Sequence, residues 1–252
     1  MLPPTFPTFA PPKTNDIVNT IKVIGFDADD TLWVNEPYFR ETEQAVIRLL
    51  ADYMDEEALS QRLFETEMAN LADYGYGAKS FVLSLLETAL KVSDYRVSQE
   101  TIGKILALGK ELLNKPVVLL DGVQEALDRL YGKNYRLILA TKGDLLDQQR
   151  KLSRSGLEGY FHHLEVMSDK REKDYARLLR HLDIRAEEFM MVGNSVKSDI
   201  LPVLGIGAHA VHVPYHTTWA HEEVDPDGKH EIVTVERIDE VPGILNGSGV
   251  EK

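Results

Sequence analysis

The sequence has no cysteine among its 252 residues, and it has no long apolar run. The first absence excludes disulfide bonds, thiolate nucleophiles and cysteine-ligated zinc. No stretch approaches the roughly 18 apolar residues of a membrane helix. The N-terminus also lacks a basic region followed by an apolar segment, which a secretory signal requires. These absences predict a cytoplasmic protein with no membrane partner.

Positive charge is scarce as well. Lysine and arginine total 28 against 41 aspartate and glutamate residues, which gives a formal net charge of -13. This balance argues against a nucleic-acid partner, because phosphate backbones are bound by basic patches. It does not exclude local binding of a phosphorylated substrate. The 43% hydrophobic content is typical of a globular chain, and the length suffices for a core and a smaller domain.

The chain divides into three parts. Residues 1–15 carry five prolines and are expected to form a flexible or extended leader without a catalytic role. Residues 35–115 have the apolar periodicity of four consecutive helices with no strand between them, which indicates a helical insert. Residues 16–34 and 116–252 then make up the core. The four helices are expected at 41–53, at 55–73, at 78–92, and after Ser98 as N-cap.

Strands and helices alternate in the core. An apolar strand is expected at 21–26, and helices are expected from residue 121 or 122, at 145–155, at 172–182 and at 198–204. The further strands are expected at 135–140, 161–167, 189–192, 208–213 and 232–235. Such alternation predicts an α/β fold, a Rossmann-like parallel sheet with helices on both faces.

Polar residues follow the first strand directly. Asp27 ends the apolar run, Asp29 comes two residues later, and Thr31 lies just behind. In an open α/β sheet the carboxyl ends of the strands border the ligand crevice. One carboxylate there suits a nucleophile and the other an acid/base. The alternative is a turn closed by aspartate side chains, which are common turn residues.

Three other strand ends carry similar groups. Thr141, Lys142 and Gly143 follow the second strand, and Lys170 follows the third. The fourth strand is followed by Gly193-Asn194 and, five residues beyond Asn194, by Asp199. The ends of parallel strands meet at one sheet edge, so carboxylates, a hydroxyl group and a lysine should converge there. Phosphoryl transfer needs such groups, as a nucleophile, an acid/base, hydrogen-bond donors and a cation.

These four motifs, in this order over residues 20–215, resemble those of the haloacid dehalogenase-like hydrolase superfamily, in its phosphatase branch. The resemblance implies that Asp27 is the nucleophile and that Asp29 protonates the leaving oxygen and then activates water. It implies that Thr141 donates a hydrogen bond to the phosphoryl group and that Lys170 offsets negative charge. It also implies Mg²⁺ as cofactor, and it implies an all-helical cap formed by residues 35–115. The implied metal ligands are Asp27, the backbone carbonyl of Asp29, Asn194 and Asp199.

Several of these assignments have alternatives. Thr141 could instead cap the helix that follows it, and Asp199 could be an N-terminal helix charge. Lys173 competes with Lys170. Asn194 departs from the Gly-Asp that begins the fourth motif in many relatives, which leaves Asp199 as the one acidic residue of that motif.

Residues next to these motifs are candidate substrate contacts. Trp33 and Asn35 follow the first motif, with Glu36 and Tyr38 behind them, and Lys142 follows Thr141. Within the insert, Tyr76 and Lys79 lie in or beside a loop with two glycines, Gly75 and Gly77, which is otherwise an ordinary interhelical turn. His209, His212, His216 and His221 are close in sequence, but His209 and His212 fall on opposite sides of a strand, which makes a zinc site the lesser interpretation.

The sequence therefore predicts Mg²⁺-dependent hydrolysis of a small phosphorylated metabolite through an aspartyl-phosphate. A dehalogenase of the same fold is an alternative, although Asp29 argues against it because no leaving oxygen needs a proton. A phosphomutase is a second alternative. A non-catalytic binding module is a third, and Asn194 alone favours it.

Overall fold

The computed structural model describes residues 20–222, 228 and 230–245. The proposed leader at 1–15 lies outside these residues. In the described part of the chain, six parallel strands form one sheet in the order β3-β2-β1-β4-β5-β6. The strands are β1 (Val23–Phe26), β2 (Arg136–Lys142), β3 (Leu164–Met167), β4 (Phe189–Gly193), β5 (His209–His212) and β6 (Val233–Thr234).

Helices surround this sheet and fill the insert. They are α1 (Glu36–Leu50), α2 (Glu56–Tyr74), α3 (Ala78–Val92), α4 (Gln99–Leu113), α5 (Val123–Leu130), α6 (Leu145–Ser155), α7 (Glu172–Leu182), α8 (Leu201–Gly205) and α9 (Val241–Leu245). The predicted α/β fold with a parallel sheet is confirmed. No helix in the described ranges is long and apolar enough to cross a membrane.

Alternate residues of the buried strands pack on opposite faces of the sheet. Ile24 and Phe26 of β1 pack in one core with α5 and α9, whereas Val23 packs in the other core with α7 and α8. This follows from the two-residue period of a strand and explains why β1 is apolar throughout. Because β1 pairs with β2 on one side and β4 on the other, the residues after it emerge at the middle of the sheet.

The helical insert, α1 to α4, has a third hydrophobic core of its own, built around residues such as Leu59, Leu85 and Ile105. Its two connections to the sheet run side by side. Val34 donates its amide to Val118, and Leu120 donates to Leu32. Ser98 is the N-cap of α4, since its hydroxyl oxygen accepts the amide of Thr101 at 3.0 Å.

Some boundaries differ from the sequence-based expectations. Helix α1 begins at Glu36 rather than 41, because the Asp30 carboxylate accepts the amides of Asn35 and Glu36 at 2.9 Å. Strand β3 begins at Leu164 rather than 161, because a 3₁₀ turn at Glu158–Tyr160 precedes it. The helix expected at 198–204 is a π-helical turn at Val196–Ile200 followed by the short α8.

Candidate active site

The polar residues predicted at the strand ends meet in one cavity of about 190 Å³ at the carboxyl edge of the sheet. Asp27 lines the cavity directly after β1, the strand between β2 and β4. The helical insert closes the opposite side. The predicted site residues that line this cavity are Asp27, Asp29, Asn35, Tyr76, Thr141, Lys142, Lys170, Asn194 and Asp199.

A buried lysine joins two of the carboxylates. The Lys170 Nζ atom lies 2.5 Å from Asp27 Oδ1 and 2.6 Å from Asp199 Oδ1, with Lys170 only 2% exposed. Burial alone would lower the pKa of Lys170, but the two carboxylates outweigh it and hold that pKa above its ordinary value. Burial raises the pKa of Asp27, and the Lys170 ammonium opposes this rise. Lys173, by contrast, is exposed on α7, so the geometry selects Lys170.

Oxygen atoms surround the other side of Asp27. The Thr31 hydroxyl lies 3.0 Å from Asp27 Oδ2 and 3.1 Å from the side-chain oxygen of Asn194. The same hydroxyl oxygen accepts a hydrogen bond from the backbone N–H of Asn194. The Asp27 and Asp199 carboxylates outnumber the Lys170 ammonium, so this group of side chains has an excess of negative charge. The described residues hold no group of three His, Asp or Glu side chains arranged for a metal ion. Two carboxylates with an amide oxygen nevertheless fit Mg²⁺, which prefers oxygen ligands and retains several waters.

Asp29 is bound by three side chains that the sequence did not connect to it. Its Oδ1 atom accepts the Trp33 indole N–H at 2.7 Å and lies 2.9 Å from Lys151 Nζ. Its Oδ2 atom accepts the Gln148 side-chain amide at 2.8 Å. Trp33 was expected to contact substrate, but it is 1% exposed and lies in the core. Its role in the fold is to hold Asp29.

The remaining candidates take different positions. Lys79 does not line the cavity; it is half exposed and pairs with Asp144 at 2.9 Å. Asp144 also caps α6 by accepting the amide of Asp147 at 3.1 Å, so Thr141 is not the helix cap. Asn35 reaches the cavity, and its side-chain oxygen accepts Lys151 at 2.7 Å.

A loop after β5 supplies residues that sequence reasoning missed. Thr217, Thr218, Trp219 and Glu222 all line the cavity. Arg40 of the insert donates to the carbonyl oxygen of Thr218 at 2.9 Å, and the Trp219 ring packs edge-on against Tyr76 at 6.1 Å. No motif marks this loop, because it lies beyond the last strand end with recognisable chemistry.

Comparison with known proteins agrees with this geometry. The family model for the haloacid dehalogenase-like hydrolases matches residues 21–207. The chain is a haloacid dehalogenase-like hydrolase. A solved haloacid dehalogenase-like family hydrolase from Xanthomonas campestris is 36% identical to this hydrolase, with a TM-score of 0.80 over 90% of this chain and 91% of that one.

Two further relatives differ in their named activities. A glyceraldehyde 3-phosphate phosphatase from Methanothermobacter thermautotrophicus is 25% identical over 236 residues, which are 89% of this hydrolase and 100% of the relative. A 2-haloacid dehalogenase from Pseudomonas syringae pv. Tomato is 19% identical, with a TM-score of 0.61 over 91% of this chain and 100% of that one. The second likeness concerns the fold alone, so the choice of reaction depends on the residues of the site.

Proposed function

We propose that this hydrolase is a Mg²⁺-dependent phosphatase that cleaves a small phosphomonoester through a phosphorylated Asp27. The observation that carries the proposal is the buried contact between Asp27 and Lys170, because a carboxylate fixed beside an ammonium is placed to attack an anionic phosphoryl group. The similarity to a relative named as a glyceraldehyde 3-phosphate phosphatase supports a small phosphorylated substrate.

In the first step an oxygen of Asp27 attacks phosphorus and the bond from phosphorus to the leaving oxygen breaks. Asp29 gives that oxygen a proton, so the organic part departs as a neutral alcohol. Lys170 balances the charge of the nucleophile, and Thr141 donates a hydrogen bond to a phosphoryl oxygen. In the second step Asp29 takes a proton from water, which attacks phosphorus and restores the Asp27 carboxylate.

The oxygen ligands beside Asp27 would hold the metal ion. They are the carboxylates of Asp27 and Asp199, the side-chain oxygen of Asn194 and the backbone carbonyl of Asp29. Bound there, Mg²⁺ supplies positive charge that offsets the phosphoryl oxygens. Asn194 is neutral where many relatives carry aspartate, and Asp199 therefore brings the second negative charge to this set.

The helical insert is proposed to be the cap, with residues 35–115 forming it and residues 16–34 and 116–252 forming the core. Its place opposite Asp27 supports this assignment, because a cover over a phosphoryl-transfer site excludes bulk water. The paired connections at 32–34 and 118–120 would then be the hinge about which the cap opens.

A dehalogenase of the same fold is the main rival. Its leaving group is a halide ion, which needs no proton, so a dehalogenase needs no acid to protonate a leaving oxygen. In this chain Asp29 lines the cavity beside Asp27 and is held by three neighbouring side chains. That arrangement favours the phosphatase.

The test is phosphate release from a panel of small phosphomonoesters with Mg²⁺, with chelator, and with the Asp27→Asn variant. Asp52→Asn, an exposed residue outside the cavity, is the matched control. We expect turnover in the wild type and in the control, and none with chelator or with Asp27→Asn. Turnover that persists in Asp27→Asn would contradict the proposal.

A further inference from the structure

The ammonium group of Lys142, at the end of β2, is enclosed on the cavity wall. It forms an ion pair with the Glu222 carboxylate, donates to the Ser198 hydroxyl at 2.9 Å, and lies 4.2 Å from the centre of the Tyr76 ring. The side chains of Lys142 and Glu222 are only 15% and 12% exposed. This lysine is therefore held between a carboxylate and an aromatic face, a combination that stabilises a cation.

Glu222 has further partners that keep it in this place. Its Oε2 atom accepts the hydroxyl groups of Ser195 and Ser198, each at 2.5 Å. Burial alone would raise the pKa of Glu222, but Lys142 and the two hydroxyls outweigh it and lower that pKa to about 2. Glu222 is thus an anion at neutral pH. It binds the Lys142 ammonium and the two serine hydroxyls, which would otherwise be available to an anionic ligand.

The other cations on the described part of the cavity wall are also paired with carboxylates. Lys170 contacts Asp27 and Asp199, and Arg40 lies 3.3 Å from Glu36. One more acidic side chain, Glu43, lines the side formed by the insert. A second negative charge on the substrate would therefore find each of these cations already paired with a carboxylate, an arrangement that disfavours such a ligand.

We propose that Glu222 is a specificity-determining residue that restricts this hydrolase to phosphomonoesters whose organic part carries no second anionic group. The inference rests on the proposed function, since the cavity is taken to bind the organic part of the ester. Glu222 acts by neutralising Lys142, the one lysine of the described cavity wall that does not contact the nucleophile. Without Glu222, Lys142 and the two serine hydroxyls become available to a substrate carboxylate.

The test compares esters with one carbon skeleton. Glycerol 3-phosphate, glyceraldehyde 3-phosphate and 3-phosphoglycerate differ only in carrying an alcohol, an aldehyde or a carboxylate at the carbon farthest from the phosphate. We expect the wild type to disfavour the carboxylate. In Glu222→Gln, the ratio of kcat/KM for the carboxylate to kcat/KM for the alcohol should rise about tenfold or more. Glu57→Gln, which removes one exposed charge outside the cavity, should leave this ratio unchanged.

A double variant shows whether the gain in Glu222→Gln comes from the freed Lys142 charge or from a less tightly packed cavity wall. In Lys142→Met/Glu222→Gln the gain for 3-phosphoglycerate should disappear, because the freed cation is gone. An unchanged ratio in Glu222→Gln, or the same gain in the double variant, would overturn the proposal.

Calorimetry distinguishes this failure from failure of the proposed function. The affinities for 3-phosphoglycerate and glycerol 3-phosphate are measured in the Asp27→Asn background, with and without Glu222→Gln, where no turnover is needed. Absence of phosphate release by the wild type would contradict the proposed function. A ratio of affinities that Glu222→Gln leaves unchanged would contradict the role of Glu222.

Discussion

Replacing Lys151 with methionine tests whether Asp29 delivers the proton to the leaving oxygen. Lys151 Nζ lies 2.9 Å and 3.2 Å from the two carboxylate oxygens of Asp29 and 2.7 Å from the side-chain oxygen of Asn35. Trp33 and Gln148 hold Asp29 from other directions, so its carboxyl group remains in the site but loses the contact that orients both of its oxygen atoms. Lys151 is accordingly a positioning residue.

The expected loss follows from the strength of this contact. A hydrogen bond to a charged group contributes about 1.5–3 kcal/mol, and about 1.4 kcal/mol corresponds to a factor of ten. The side chains of Lys151 and Asp29 are 19% and 24% exposed, so screening by solvent is modest. We expect the rate of Asp27 phosphorylation by an alkyl phosphate, whose leaving oxygen needs a proton, to fall about 10- to 100-fold.

The assay compares leaving groups at one pH. Nitrophenolate departs without a proton, so the rate of Asp27 phosphorylation by p-nitrophenyl phosphate, read from the burst of nitrophenolate on rapid mixing, should change by less than about threefold in Lys151→Met. The first step is compared because Asp29 activates water in the second step of both reactions. Lys151→Arg, which keeps the charge, should recover part of the loss for the alkyl phosphate. Equal losses for both esters would refute the reasoning, because they would indicate damage to the fold or to Asp27 instead.

Three further predictions concern separate parts of the molecule. Burial, reinforced by Glu43 and Glu36, raises the pKa of Glu67 from 4.5 to about 8, so the stability that this group contributes is present below pH 4.5 and is lost as the pH rises through 8. In urea unfolding, Glu67→Gln should therefore be more stable than wild type by about 2 kcal/mol or more at pH 9 but not at pH 4; no gain at pH 9 would contradict this. Asp199→Ala should weaken Mg²⁺ binding about tenfold or more in calorimetry, and an unchanged affinity would exclude Asp199 as a ligand. Lys79→Ala should change KM by less than about twofold for every ester, because Lys79 pairs with Asp144 outside the cavity; a selective rise for anionic esters would refute this.

The sequence was sufficient to predict the groups that follow the central strands. Asp27, Thr141, Lys170 and Asp199 each come shortly after an apolar strand, and parallel strands bring such positions to one edge. The periodicity of the strands and helices predicts a parallel sheet, and a parallel sheet is sufficient to bring these four side chains together. The same reasoning predicts the two covered faces of the sheet.

Long-range partners could not be predicted in this way. Lys151 is 122 residues from Asp29, and Glu222 is 80 residues from Lys142. On the predicted helix at 145–155 a lysine is typical of a solvated face, and Glu222 lies in a loop without a motif. Trp33 was misplaced because its position after the first motif gives no sign that its ring turns into the core, where it anchors Asp29.

The most direct test of the account is detection of the phosphorylated residue itself. The wild type, incubated with Mg²⁺ and its best ester, is quenched in acid and treated with borohydride, which reduces an aspartyl-phosphate to homoserine. The account predicts homoserine at position 27 in the peptide containing residues 23–33, and none in Asp27→Asn. Homoserine at Asp29 or Asp30, or turnover without modification of this peptide, would contradict the assignment of Asp27 as the nucleophile.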